Sequence, residues 1–267
     1  MPIISIRDLV VEYDGRRILN GLNLEIDQGE TMVLLGGSGS GKSTLLRQII
    51  GLEHPKSGSV NVKGTDITRC SDGQLKHVRR SIGVAFQSAA LFNALTVEDN
   101  IALPLREHTA LAPSIIDLVV WIKLAIVGLA DFGKLYPQEL SGGMRKRAAV
   151  ARAMALDPEI LVFDEPSAGL DPIVAAELDE VILVLKQAFQ MTVIVVTHEL
   201  ASAFRIADRI AMLHEGSFLA VGTKDEIRSS KHPRIRQFLD RAPDETEHVR
   251  IMQAHLEKYL GSEEVSR

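Results

Sequence analysis

One cysteine, Cys70, stands among 267 residues. No intrachain disulfide can form, which points to a reducing compartment. Long apolar runs are missing too: a membrane-crossing helix needs roughly 18 residues with few charges. The nearest stretch is 115–130, and Asp117 and Lys123 interrupt it. Over residues 1–13 charged and apolar residues alternate, without the unbroken apolar core of a secretory leader. Nor is there a basic excess, since 30 Lys+Arg face 35 Asp+Glu, for a formal charge of −5 and a pI near 5.9. That balance argues against nucleic acid as a partner. Internal repeats and low-complexity tracts are absent.

What is present suits a layered α/β protein. Apolar residues make up 46% and charged residues 24%, with a mean hydropathy of +0.09. This supports one large domain, or one domain with a substantial insertion, and excludes whole-chain disorder, collagen or coiled coil. Leu22-Asn23-Leu24-Glu25-Ile26 alternates at period two, the pattern of a half-buried antiparallel strand. Residues 31–35, 160–163 and 193–196 are continuously apolar or β-branched, which predicts parallel strands covered on both faces. Each leads into a helix-like segment, so an α/β core follows. Asp171 and Pro172 are placed to start a helix whose apolar face is Val174, Leu178, Val181, Ile182, Leu185 and Phe189. Glu215-Gly216 reads as a hairpin turn.

Between 88 and about 154 strand signals vanish. Helix-compatible segments run through Pro104, Pro113 and Pro137, predicting a helical subdomain inserted into the core. After residue 240 a tail follows. Over 243–261 Asp244, Glu245 and Glu247 lie in a first turn, Lys258 comes late and Gly261 is a stop, predicting an amphipathic helix that packs on its own domain or on a partner.

Gly36-Gly37-Ser38-Gly39-Ser40-Gly41-Lys42-Ser43 fits the phosphate-loop pattern GxxxxGK[ST]. Glycines let the backbone wrap so that several N–H groups meet one phosphate chain, and the helix beginning near Lys42 adds its positive end. Lys42 would place a charge on the β- and γ-phosphates, and the Ser43 hydroxyl would ligate Mg²⁺. The strand 31–35 before the loop and the helical spacing of Leu45, Leu46, Ile49 and Ile50 after it supply the required context. A second buried strand, 160–163, ends in Asp164-Glu165. At the carboxyl end of a parallel strand, Asp164 is placed for the metal and Glu165 to polarise water.

Leu140-Ser141-Gly142-Gly143-Met144 opens an Arg- and Ala-rich helix ahead of the acidic strand. With the two motifs above it resembles the signature of ATP-binding-cassette (ABC) ATPases. Further family marks occur in order: Tyr13 where an aromatic stacks on adenine, Gln87 in the Q-loop, Ser167-Ala168-Gly169-Leu170-Asp171 as D-loop, and His198 as switch histidine. The resemblance covers about residues 3–240 and implies a P-loop NTPase cassette with an antiparallel β subdomain and an inserted helical subdomain. It implies ATP and Mg²⁺ as ligands. Nucleotide contacts would come from Tyr13, residues 36–44 including Thr44, Gln87, Ser141, Gly142, Gly143 and Asp164. Ser43, Gln87 and Asp164 would hold Mg²⁺, and Lys42, Glu165 and His198 would serve catalysis. Met144 departs from the glutamine usual at the end of the signature. Arg145-Lys146-Arg147 reads as a solvated face near the nucleotide, and Asp157-Pro158 as a simple turn.

In this family ATP lies between the phosphate loop of one chain and the signature of another, which implies a homodimer. With no span of its own, the chain would serve a separate permease from the cytoplasmic face of a bacterial inner membrane. Gln87-Ser88-Ala89-Ala90-Leu91-Phe92 and Pro104-Leu105-Arg106-Glu107-His108-Thr109 look like the ATPase subunits of Mla/Mce-type phospholipid transport systems. That likeness implies an MlaE-type permease, an MCE-domain lipid-binding subunit and a small STAS-domain protein as partners. An importer of a polar solute such as an amino acid would share every catalytic motif. A non-transport ABC protein would need long coiled-coil insertions or tandem cassettes. Lys42 and Leu140 are only 98 positions apart (140 − 42). A GTPase would need an Asn-Lys-x-Asp motif, and the nearest approach, Thr223-Lys224-Asp225-Glu226, lacks both of its ends.

Overall fold

A computed structural model describes residues 2–243 together with Met252 and His255. The chain divides into two compact units, 1–229 and 230–267. The first begins with two long strands, β1 (Pro2–Tyr13) and β2 (Arg16–Asp27), paired antiparallel. Leu22, Leu24 and Ile26 are buried while Asn23 and Glu25 are exposed, as their alternation predicts. Next come β3 (Thr31–Leu35), α1 (Lys42–Ile49), β4 (Ser57–Val62), β5 (Thr65–Asp66), α2 (Asp72–Arg80) and β6 (Ile82–Ala85). The small sheet runs β2-β1-β4-β5.

Residues 88–154 contain α3 (Val97–His108), α4 (Pro113–Ile126) and α5 (Gly142–Ala153), and no strand. Pro104 lies inside α3, Pro113 occupies the first turn of α4, and Pro137 opens a short 3₁₀ turn. Proline is pre-set for a helix start, which explains the latter two. At the head of α3, Asn100 is fully buried. Its side-chain amide accepts from Phe92 N–H at 2.7 Å and donates to the carbonyls of Phe92 (3.1 Å), Leu95 (3.3 Å) and Thr96 (2.9 Å). This one residue satisfies much of the loop leading from the core into the helices.

The core resumes with β7 (Ile160–Asp164), α6 (Pro172–Phe189), β8 (Thr192–Thr197), α7 (Leu200–Ile206), β9 (Arg209–His214), β10 (Ser217–Thr223) and α8 (Lys224–Ser229). Its sheet has the order β10-β9-β3-β8-β7-β6, parallel except for the β9–β10 hairpin. Strands β3 and β8 are buried at every residue, the condition that their unbroken apolar runs imply. Asp171 caps α6 by accepting from Ile173 and Val174 N–H at 3.0 and 3.1 Å. Glu215 and Gly216 turn the β9–β10 hairpin with φ of 45° and 73°.

Asp157-Pro158 does more than turn. The buried ammonium of Lys123, from α4, pairs with the Asp157 carboxylate and stands 5.8 Å from the Phe189 ring centroid. The second unit, described by itself, contains α9 (Pro233–Leu239), with Arg236 paired to Asp240 at 2.8 Å. The helix expected over 243–261 lies outside the described residues apart from Pro243, Met252 and His255.

Strand β6 lies so close to α5 that Gly83 has no room for a side chain. A Cβ there would overlap the Ala153 carbonyl oxygen and lie 2.9 Å from Pro158 Cγ. Gly83→Ala should therefore cost about 1–3 kcal/mol, read as a fall in thermal midpoint of roughly 2–4 °C per kcal/mol for a domain of this size.

Candidate functional site

Four loops leave the same edge of the larger sheet because register puts them there. Leu35 of β3 lies beside Thr197 of β8, Asp164 of β7 beside Val196, and Ala85 of β6 beside Phe163. Gly36, Glu165 and His198 follow these strand ends directly, and Gln87 follows Ala85 at a distance of two residues. Backbone pairing thus converges them on the carboxyl edge, where α/β proteins hold ligands.

Between β3 and α1 the chain wraps through residues 36–41. A Cβ on Gly36 would overlap the Leu213 carbonyl. At Gly41, where φ is +106°, one would lie 2.7 Å from a Leu19 methyl, so both positions require glycine. Ser40 is buried and its hydroxyl has no hydrogen-bond partner among the described residues. Lys42 is buried too, donating to the Gly36 and Gly37 carbonyls at 2.8 and 2.9 Å. Burial lowers its pKa, while the Glu165 and Asp164 carboxylates oppose the shift. Helix α1 has no side-chain cap, as α4, α7 and α9 also have none, but α1 alone of these follows the glycine loop. Its first-turn N–H groups are those a bound phosphate would satisfy. Ser43 is exposed and Thr44 half-buried beside them.

Asp164 ends β7 half-buried, and its Oδ1 lacks a partner among the described residues. Burial, followed by the neighbouring Glu165 charge, raises its pKa; Arg47, Lys42 and Lys146 act the other way. Glu165 is buried at φ 48°, left-handed backbone that costs a non-glycine residue about 1 kcal/mol or more. Its N–H donates to Val196 O at 2.8 Å, and its Oε2 meets His198 Nδ1 at 2.8 Å. His198 leaves its remaining edge to solvent. Tyr13, at the end of β1, is 39% exposed, with its hydroxyl donating to Glu53, which Arg47 also pairs at 3.4 Å. Burial and Glu53 raise the phenol pKa. The Gln87 side chain is exposed.

The signature residues have other neighbours. Ser141 Oγ caps α5 by accepting from Met144 N–H at 3.2 Å. Gly142 packs beside Leu170, and a Cβ on Gly143 would come within 2.5 Å of Val174, so α5 approaches α6 closely there. Lys146 departs from the solvated face expected of it. Its ammonium donates to the backbone carbonyls of Gln87 and, at 3.2 Å, Glu165. Helical spacing carries the missed signal: 143, 146 and 150 share one face, and Gly143 and Val150 are buried. A groove of about 600 Å³ opens near the start of the insertion, lined by Lys76, Arg79, Arg80, Phe86, Pro104 and His108 among others.

The donor set suits Mg²⁺. Asp164 offers an unpartnered, partly buried carboxylate oxygen, and Ser43 and Gln87 offer neutral oxygens. A hard cation held by one or two protein oxygens plus substrate phosphates has this chemistry.

A glycine loop ahead of an uncapped helix, two carboxylates on the same sheet edge and a histidine beside them define a P-loop nucleotide-hydrolysing cassette. The family model described as ABC transporter matches residues 19–168, and the chain belongs to that family. It is 42% identical over 237 residues to the probable ribonucleotide transport ATP-binding protein mkl of Mycobacterium tuberculosis (strain ATCC 25618 / H37Rv), covering 89% of this chain and 66% of that one. The chain thus spans just under two thirds of that relative. It is 40% identical over 242 residues to the intermembrane phospholipid transport system ATP-binding protein MlaF of Escherichia coli (strain K12), covering 91% of this chain and 90% of that one. Among solved structures, the dimeric post-hydrolysis state of the ATP-binding cassette MJ0796 bound to ADP and Pi superposes with a TM-score of 0.76 at 30% identity. That match covers 83% of this chain and 98% of the other.

Because burial and Glu165 raise the Asp164 pKa, the ionised form destabilises the nucleotide-free fold at neutral pH. Asp164→Asn should raise the thermal midpoint at pH 7.5 without nucleotide. The gain should shrink as pH falls and the parent carboxylate takes up its proton. Scanning fluorimetry from pH 5 to 8 checks both the sign and the trend.

Proposed function

We propose that this chain is the ATP-hydrolysing subunit of a transporter that moves phospholipid between bacterial membranes. The observation that carries the reading is 40% identity to MlaF along nine tenths of both chains. A catalytic edge on which Lys42, Asp164, Glu165 and His198 converge supports the hydrolytic half of it.

Hydrolysis here is in-line phosphoryl transfer to water, in which positioning and electrostatics dominate. The N–H groups of the glycine loop and α1 cradle the phosphates, with Lys42 on the β- and γ-oxygens. Tyr13 offers an exposed ring to the base. Glu165 orients the attacking water, and His198, held by Glu165 through Nδ1, turns its free edge to the γ-phosphate. Ser43, Gln87 and Asp164 would hold Mg²⁺, whose charge would offset that developing on the transferred group. Ser141, Gly142 and Gly143 of a second copy complete the site, so the working unit is a homodimer.

No helix among the described residues is long and apolar enough to cross a membrane, so a separate permease carries the substrate path. We place its contact at the groove beside Gln87, where Phe86 is exposed and Lys76, Arg79 and Arg80 give a basic wall. The chain then works at the cytoplasmic face of the inner membrane. An MlaE-type permease, an MCE-domain subunit and a STAS-domain protein are the partners this reading names. The similarity to mkl favours a second reading, in which a ribonucleotide is carried.

Glu165→Gln should bind ATP yet lower turnover by roughly 10²–10⁴-fold and accumulate dimer, whereas Lys42→Ala should weaken ATP binding about tenfold or more. Purifying the Glu165→Gln chain from native membranes, with identification of bound proteins and lipids, tests the transport assignment. Recovery of a polar-solute permease without lipid would overturn it.

A further inference from the structure

Helix α5 carries three cations that bind backbone rather than carboxylates, and Arg145 stays local, donating to the Leu140 carbonyl at 2.6 Å. Lys146 reaches the carbonyls of Gln87 and Glu165. Arg152 donates to the Ala89 and Ala90 carbonyls at 3.0 and 2.7 Å. Ala89, Ala90 and Glu165 have φ of 62°, 49° and 48°, backbone that side-chain-bearing residues avoid. Strain of this kind persists only where surrounding contacts over-determine it. At Glu165 those contacts can be counted through: its N–H goes to Val196, its carbonyl accepts from Ala168 N–H at 3.2 Å and from Lys146, and its carboxylate meets His198.

We propose that Lys146 is a positioning residue for hydrolysis, tying the carbonyl of Gln87 to that of Glu165. The turn that opens the helical insertion and the carboxylate that orients water then move as one. The inference rests on the role assigned to Glu165 above. Lysine suits the task because a compact ammonium on a flexible stem offers three donors in adjustable directions, which a planar guanidinium does not. Burial lowers its pKa, and the charges of Asp164 and Glu165 counter that shift. Without the ammonium the Glu165 peptide is free to relax. A misplacement of about 1 Å at a reacting group costs on the order of 10²-fold in rate.

Steady-state ATPase assays and ATP-binding titrations on the full chain test this, with Lys146→Met, Lys146→Arg and Glu165→Gln measured side by side. Lys146→Met should lower kcat about tenfold or more and leave the ATP Kd within about twofold of the parent. Lys146→Arg should fall between the two, and this intermediate value serves as the test if the methionine variant does not fold. A parental kcat in Lys146→Met beside an inactive Glu165→Gln would overturn the Lys146 proposal alone. Parallel losses of kcat and ATP affinity would also overturn it, because they mark a general structural role. Normal turnover by Glu165→Gln would instead remove the Glu165 assignment on which the proposal stands.

Discussion

The in-register pairing of β3, β8 and β7 is the constraint on which the candidate site depends. Parallel strands present side chains and loop starts at fixed offsets, so Leu35 beside Thr197 and Asp164 beside Val196 determine where Gly36, His198 and Glu165 emerge. A slip of one residue in either pairing would turn every side chain of that strand to the opposite face. Close packing on both faces resists such a slip, because every side chain of β3 and β8 is buried among neighbours of fixed size and a shift would put residues of the wrong shape in each place.

Charge is arranged at that site in a way that serves a ligand better than it serves the fold. Asp164 and Glu165 are adjacent carboxylates in partial burial, and the nearest opposing charges are Lys42, Arg47 and Lys146. Lys42 is itself desolvated and spends its hydrogen bonds on loop carbonyls. Helix α1 starts without a side-chain cap. Each feature costs stability by itself, and each is of a kind that a bound polyphosphate with a cation would relieve. Destabilised sites of this kind are the usual concession of an enzyme core to its chemistry.

The helical insertion is joined to the core by polar contacts as well as by apolar packing. Asn100 satisfies the incoming loop, Arg152 and Lys146 hold the turn after β6, and Lys123 pairs with Asp157 ahead of β7. Directional bonds transmit displacement where apolar contact would slide. The groove at the start of the insertion and the Glu165 carboxylate are accordingly connected through α5.

Much of this was legible in residue order. Unbroken apolar runs marked the parallel strands, Asp171-Pro172 marked the start of α6, and the glycine loop with its lysine, the terminal Asp-Glu pair and the signature identified the chemistry, because local patterns report local requirements. Lys146 and Asp157 were misread, since a charged run or an Asp-Pro turn looks the same in sequence whether solvent or a distant carbonyl faces it. The amino-acid sequence by itself determined the strands, the helix starts and the glycine loop with its lysine ahead of α1. Only the tertiary structure decided that residues 87, 146 and 165 share one ammonium. That contact joins three separate segments, and its geometry exists only after the sheet has aligned and α5 has packed across its edge.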